Sequence, residues 1–317
     1  MRNVIITGAN GFIGSELLNE LTGNGYTVYA VVRESSLDAF RSKIGGSTIP
    51  EEQKSMIHAV PGDLLFPDMI GERLRSLCDS YQIFFHMAWD GSAGTARADL
   101  EHQLKNVVMT RDMVKLAASL NCRRFVGAGS IMEDEVLASC SIRGRKTTIN
   151  QIYSSAKLEA HLAARITAEH LGIDFLWGKI TNAYGEQDHT GRFVDNFLGK
   201  MMRGEPCSFS KADQLYDFVH ISDAAKAFRL IGEKGMNNAS YVVGSGELLR
   251  LKDYIGIMAR AASTSSSLSF SEDTSSICYL PEEAFNTADL ARDTGYTASV
   301  PFREGIASII EKRKEII

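Results

Sequence analysis

Tyr153 precedes Lys157 by four residues in the stretch NQIYSSAKLEAHLAAR (150–165), which reads as a helix. One helical turn puts the two side chains on one face. A free phenol titrates near ~10, too high to give up a proton easily at neutral pH. A close ammonium favours the phenolate and lowers that value, which readies the phenol for general acid or base work. On this stretch alone, a solvated helix face with a chance pair accounts for the same spacing.

A second stretch narrows the choice. TGANGFIG, residues 7–14, lies between a predicted strand and a predicted helix, and Gly8, Gly11 and Gly14 recur at intervals of three. Small residues let the backbone turn tightly and approach a pyrophosphate, and the helix that follows offers free N–H groups and its positive dipole end. Tight turns also need glycine, but the strand before and the helix after are the setting a dinucleotide motif requires. Where folds that prefer NAD carry an acid at the end of the next strand, this chain has Val32 followed by Arg33. An arginine there suits a 2′-phosphate, so NADP is expected, with NAD the alternative that nearby Glu34 keeps open. Asp63, in PGDL, accepts from an adenine amino group or caps a turn.

These residues need elements to position them. The first half alternates short apolar runs with longer amphipathic ones: NVIITG (3–8), TVYAVVR (27–33), MIHAVPGDL (56–64), IFFHMAW (83–89) and RRFVGAGS (123–130) read as strands. SELLNELTGNG (15–25) reads as a helix. Between the last two strands, residues 103–121 place Leu104, Val107, Val108, Met113, Val114, Ala117 and Ala118 at helical spacing. Repeated β-α-β order predicts a doubly wound parallel sheet with helices on both faces. After about residue 178 the alternation loosens. We expect residues 1–178 to form a dinucleotide-binding domain and residues 179–317 mainly a substrate-binding domain, with segments near 215–245 returning to the first. Residues 191–206 and 299–314 read as helices, 215–231 as a strand feeding a helix, and the Ser/Thr-rich stretch 263–276 as surface loop.

Composition excludes several classes. A net charge of −5 without a basic run gives no support for a nucleic-acid surface. No apolar run approaches the roughly 20 residues a membrane helix needs, and no signal-peptide pattern is seen at the start. Cys78, Cys122, Cys140, Cys207 and Cys278 are odd in number, widely spaced and without C-x-x-C or zinc patterns, as expected of reduced thiols in a cytoplasmic protein. His86 and His220 lie in apolar strand context and read as satisfied core histidines, and no metal is expected.

Taken together, TGANGFIG, GDL, HMAW (86–89), Asn106, GSIM (129–132), YSSAK (153–157), NAYG (182–185), DFVHISDAAKA (217–227) and VVGSGE (242–247) make the chain resemble, nearly end to end, the extended short-chain dehydrogenase/reductases of the NAD-dependent epimerase/dehydratase family, which act on nucleotide sugars. The resemblance implies a catalytic set of Ser130, Tyr153 and Lys157, with Ser130 donating to the substrate oxygen and Lys157 also holding the nicotinamide ribose. It implies a cofactor set of Gly8, Gly11, Phe12, Ile13, Gly14, Arg33, Asp63, Leu64 and Ala88, with Tyr153 and Lys157. Ser130, Tyr153, Asn182 and Arg192 are the expected substrate contacts, Asn106 is expected to be structural, and pairing of helices 103–121 and 154–171 between two copies implies a homodimer.

The departures are informative too. Dehydratases of the family carry an Asp-Glu pair directly after the catalytic Ser/Thr; here Ile131 and Met132 stand there, and Glu133, Asp134 and Glu135 are expected to point elsewhere. A 4,6-dehydratase is therefore disfavoured. Tyr216 stands where many relatives grip the substrate pyrophosphate with arginine. The expected function is an NADP-dependent oxidoreductase on a nucleotide-linked sugar, reducing a keto group such as C4 of a 6-deoxy-4-keto sugar. The alternatives are a 4-epimerase that transiently reduces its cofactor and, from another class, a non-catalytic NADP(H)-binding sensor or scaffold.

Overall fold

Apolar runs and amphipathic segments alternate through the first half of the computed structural model, as the β-α-β pattern requires. The structure describes residues 2–47, 49–141, 147–149, 151–188, 190–263, 265–274, 277 and 279–315; Cys278 and Asn150 lie outside them. In chain order come β1 (Arg2–Thr7), α1 (Phe12–Gly23), β2 (Tyr26–Val32), α2 (Leu37–Gly45), α3 (Glu51–Ser55), β3 (Ile57–Pro61), α4 (Pro67–Leu77) and β4 (Ile83–His86). There follow α5 (Leu100–Ser119), β5 (Arg124–Ser130), α6 (Met132–Ser141), α7 (Gln151–Leu171) and β6 (Asp174–Ile180). The second half holds β7 (Asn182–Tyr184), α8 (Phe193–Met202), β8 (Cys207–Phe209), β9 (Leu215–Tyr216), β10 (Phe218–His220), α9 (Ile221–Lys234) and β11 (Ala239–Val243). It ends with β12 (Leu249–Arg250), α10 (Leu251–Ala262), β13 (Leu268–Phe270), α11 (Ala288–Thr294) and α12 (Phe302–Glu315).

Among the described residues, seven strands form one sheet in the order β11-β6-β5-β4-β1-β2-β3, every neighbouring pair parallel. Such strands are buried on both faces, which is why they read as continuous apolar runs. On one face α1 and α9 pack with Leu17, Leu18, Leu21, Phe228 and Ile231 fully buried. On the other lie α4, α5 and α7, with Ile70, Leu74, Met113, Val114, Ala164 and Ala168 inside. The chain crosses from β3 to β4, past β1 and β2, and this reversal opens a crevice at the carboxyl ends of the strands, where ligands of such sheets bind.

A third core joins α8, α10 and α12 through Leu198, Met201, Tyr254, Ile255, Phe302 and Ile306. It closes the crevice from the second half. The Ser/Thr-rich stretch read as loop contains a strand: β13 pairs with β8 in parallel, from Leu268 opposite Cys207 to Phe270 opposite Phe209. Alternation over three residues among serines was too short to show it. Among the described residues no helix is long and apolar enough to cross a membrane, and Cys78, Cys122, Cys140 and Cys207 are free thiols.

Candidate active site

The turn from β1 into α1 carries the first part of the site. Gly8 sits at φ +76°, where a side chain would be strained, and a Cβ there would come within 2.6 Å of the Ala88 nitrogen. A Cβ on Gly14 would stand 2.1 Å from the Gly8 carbonyl oxygen, so the helix can approach the turn only because residue 14 is glycine. Gly11 N–H donates to the Gly8 carbonyl at 2.9 Å, and α1 begins with no side-chain cap and no acid in its first turn. Its free N–H groups and dipole therefore face the crevice.

Two clefts meet over this turn, sharing Gly8, Gly11, Met87 and Trp89. One, of about 650 Å³, is lined by Val32, Arg33, Asp63, Leu64, Ala88 and Asp90 among others. The other, of about 500 Å³, is lined by Phe12, Ile13, Ser130, Tyr153, Lys157, Asn182 and Arg192 among others. A two-part channel straddling a glycine turn and an uncapped helix start fits a dinucleotide, with the turn at the pyrophosphate.

Ser130 ends β5, and Tyr153 and Lys157 rise from the first two turns of α7, all three buried. Lys157 Nζ donates to the Ala128 carbonyl at 2.8 Å and lies 3.7 Å over the Trp89 ring. Burial drives its pKa down to about 7, Glu133 opposing and Arg192 and Arg97 adding to the fall. Tyr153 packs edge-on to Trp89 at 5.9 Å. Here the sequence expectation needs correction: the phenol's pKa is raised, not lowered, because burial outweighs everything else. The groups of this chain that oppose burial are Arg97, then Arg192, then a hydrogen bond from Ser130; Glu133 reinforces it.

Arg97, Trp89 and Glu133 were missed as parts of this site. Glu133 is also a correction, since it turns back beneath Ser130. Only 1% exposed, its Oε1 accepts from Ser130 N–H at 2.9 Å and from Trp177 Nε1 at 3.1 Å, and its Oε2 meets His161 Nδ1 at 2.9 Å. Met132 N–H donates to Ser130 Oγ at 3.2 Å. Ser-x-x-Glu at 130–133 has the spacing of a helix capping box, a signal the sequence did carry, with the Ser130 hydroxyl taking the Met132 N–H in place of that of Glu133. Asp134 does turn away, to Lys179 at 2.8 Å. Arg97 lies on a 3-10 helix, Thr95–Ala98, in the connection before α5, where no periodicity points to it.

Other residues divide between binding surface and scaffold. Arg33 is exposed at the mouth of the larger cleft, 3.4 Å from Asp90. Asp63 Oδ1 accepts from Leu65 N–H at 3.0 Å, so it shapes its turn while lining the cleft. Asn106 clamps the Asp90 backbone, accepting from its N–H and donating to its carbonyl, both at 2.9 Å. Asn182 donates to the Asp217 carbonyl at 3.1 Å, and Arg192 to Ser92 Oγ at 3.3 Å. His86 sits between Thr7 and Thr110 hydroxyls, its pKa pushed down to about 3 by burial. His220 caps α9 and meets Glu186 at 3.2 Å. No cluster of three metal-ligating side chains occurs among the described residues.

A doubly wound sheet with a glycine turn at its switch point and a Ser-Tyr-Lys set above it defines an enzyme of the extended short-chain dehydrogenase/reductase class. Residues 4–244 match the family model described as the NAD dependent epimerase/dehydratase family, and the chain belongs to that family. It is 22% identical over 316 residues to CDP-abequose synthase of Salmonella muenchen, covering 99% of this chain and 98% of that protein. It is 23% identical to a dTDP-4-dehydro-6-deoxy-D-allose reductase of a Streptomyces species, over 78% of this chain and 77% of the other. The fold matches that of UDP-glucose 4-epimerase from Thermotoga maritima, solved with UDP-glucose, at a TM-score of 0.75 and 19% identity, covering 99% and 100% of the two chains.

Proposed function

We propose that this enzyme is an NADP-dependent oxidoreductase that reduces a keto group of a nucleotide-linked sugar, C4 of a 6-deoxy-4-keto sugar being the first choice. The observation that carries the reading is the convergence of Ser130, Tyr153 and Lys157 on the cleft that continues over the glycine turn. When bound, the dinucleotide supplies the hydride. Tyr153 gives its proton to the oxygen of the reduced carbonyl, and Ser130 donates a hydrogen bond to the same oxygen. Lys157 lies one turn along α7 on the cofactor side.

Three further features support this choice. Arg33 stands at the mouth of the larger cleft with no acid at the end of β2, which suits a 2′-phosphate. Met132 lines the smaller cleft where a dehydratase would carry an acid. A protein named as a 4-dehydro-6-deoxy-sugar reductase is among the relatives. We assign residues 1–178 mainly to cofactor binding and 179–317 mainly to substrate binding, with Asn182 and Arg192 facing the sugar nucleotide. We also read the enzyme as a cytoplasmic homodimer. Leu104 and Val108 on α5, and Leu162 and Ile166 on α7, form an apolar stripe 46–66% exposed across two packed helices, suited to a second copy.

The test is a turnover assay with CDP-, dTDP- and UDP-linked 4-keto-6-deoxyhexoses and NADPH or NADH. NADPH consumed one-to-one with substrate is the expected result, abolished by Tyr153→Phe with cofactor affinity retained. Interconversion of C4 epimers without net cofactor use, as the 4-epimerase fold neighbour suggests, replaces this reading with an epimerase. Tight NADPH binding without any turnover replaces it with a sensor.

A further inference from the structure

The lysine that the sequence paired with Tyr153 is engaged elsewhere, by the Ala128 carbonyl and the Trp89 ring. What lies against the phenol ring is Arg97, its guanidinium carbon 4.0 Å from the ring centroid. We propose that Arg97 is a positioning residue of the reaction, holding a fixed cation on the Tyr153 ring so that the phenol can pass to phenolate within a buried site. This rests on Tyr153 being the proton donor of the function proposed above.

The placement of Arg97 is built. Gln103, fully buried on α5, donates to the Gly91 and Ala96 carbonyls at 2.9 Å and accepts from Trp89 Nε1 at 2.9 Å, which locks both ends of the connection that carries Arg97. Arg97 Nη1 donates to the Ser92 carbonyl at 2.9 Å, and Nη2 to Met132 Sδ at 2.7 Å. Its guanidinium thus donates to a carbonyl and a thioether, and the attractions on its charge are led by Tyr153, with Glu135 on α6 a smaller one. A guanidinium over an aromatic face is attracted by the π-electrons, and deprotonation of the phenol makes that face more negative. An opposite charge at this range typically lowers a pKa by about 1–3 units, and more effectively where water is excluded.

The other groups facing the phenol do not replace it. Arg192, just before α8, is the second cation and is tethered to Ser92 Oγ. Ser130 at the end of β5 donates a hydrogen bond. Glu133 on α6 acts in the opposite direction, and Lys157 on α7 is held as described. Burial is the largest influence and raises the pKa; Arg97 is the largest that lowers it. In the reaction Arg97 keeps its proton throughout. The proton that reaches the substrate oxygen is the phenol's, and it returns to Tyr153 from solvent at product release.

The test reads the phenol without any substrate. Ultraviolet phenolate absorbance is titrated in wild type and in Tyr153→Phe, and the difference isolates residue 153; the same pair is measured on an Arg97→Gln background. The expected result is a Tyr153 titration about 1–3 pH units higher in Arg97→Gln, with Arg97→Lys, which keeps the charge, recovering part of the shift. Arg192→Gln is expected to move it less. With an active substrate in hand, the pH limb of kcat assigned to Tyr153 moves by the same amount. An unmoved titration overturns the proposal, as does a wild-type phenol that fails to titrate before the protein unfolds. If Arg97→Gln fails to fold, Arg97→Lys and Arg97→Met read the same difference. Because no substrate enters the titration, its failure is separate from failure of the proposed reaction.

Discussion

Glu133 Oε1 accepts the backbone N–H of Ser130 at 2.9 Å, while the Ser130 hydroxyl accepts from the N–H of Met132. The residue expected to donate to the substrate thus also accepts the first N–H of α6. Together the two bonds fix where β5 stops, where α6 begins and which way the Ser130 side chain faces. The carboxylate is itself held by Trp177 and by His161, whose ring stacks on Trp177 at 4.9 Å.

Removing this anchor should cost both stability and alignment. Glu133→Ala leaves two buried donors, Ser130 N–H and Trp177 Nε1, and the half-buried His161 without their acceptor, and we expect a loss of about 3 kcal/mol, seen as a lower denaturant midpoint at unchanged slope. Glu133→Gln keeps an acceptor for Ser130 N–H but removes the negative charge that favours the Lys157 ammonium. The Lys157 pKa then falls below about 7, and any pH limb of kcat that reports it moves to lower pH. A limb that stays in place shows that Glu133 acts by geometry alone.

Lys157 carries a stability penalty with a definite sign. Its pKa is about 7 in the folded chain against an ordinary 10.5. Between those values the unfolded chain holds a proton that the folded chain lacks, so stability rises with pH across the window. Below about pH 7 the folded lysine is charged at the full cost of burial. Lys157→Met is therefore expected to stabilise the protein at pH 7, by something on the order of a few kcal/mol, while abolishing turnover. The gain shrinks toward pH 10. Melting curves at both values check it, and equal gains at both would show that the penalty is packing rather than charge.

Arg33 is expected to choose the cofactor. Its exposed pair with Asp90 contributes little to stability, so Arg33→Ala should fold normally. It should weaken NADPH binding by about 10- to 100-fold, the worth of one or two hydrogen bonds to a charged group, and leave NADH binding unchanged. Titration of both cofactors by fluorescence decides this, and a parallel loss for both would remove the basis for an NADP preference.

The apolar stripe on α5 and α7 is expected to hold two subunits together. Val108→Glu with Ile166→Glu places charges on positions 49% and 66% exposed in the single chain. The monomer fold should survive, while sedimentation equilibrium should show a shift from dimer to monomer. An unchanged mass would mean that the stripe faces solvent or another partner.

The amino-acid sequence by itself determined the parallel sheet, the glycine turn and the Tyr153–Lys157 pair. Each is written in local periodicity: continuous apolar runs for strands buried on both faces, glycines three apart, and two side chains four apart on a helix. Only the tertiary structure decided what surrounds the phenol. Arg97 arrives from a connection before α5, Arg192 from the start of α8 and Glu133 from the first turn of α6, and burial sets the direction of the Tyr153 shift. Desolvation depends on everything packed around a group and Coulomb energy on distance in space, and neither is a function of separation along the chain.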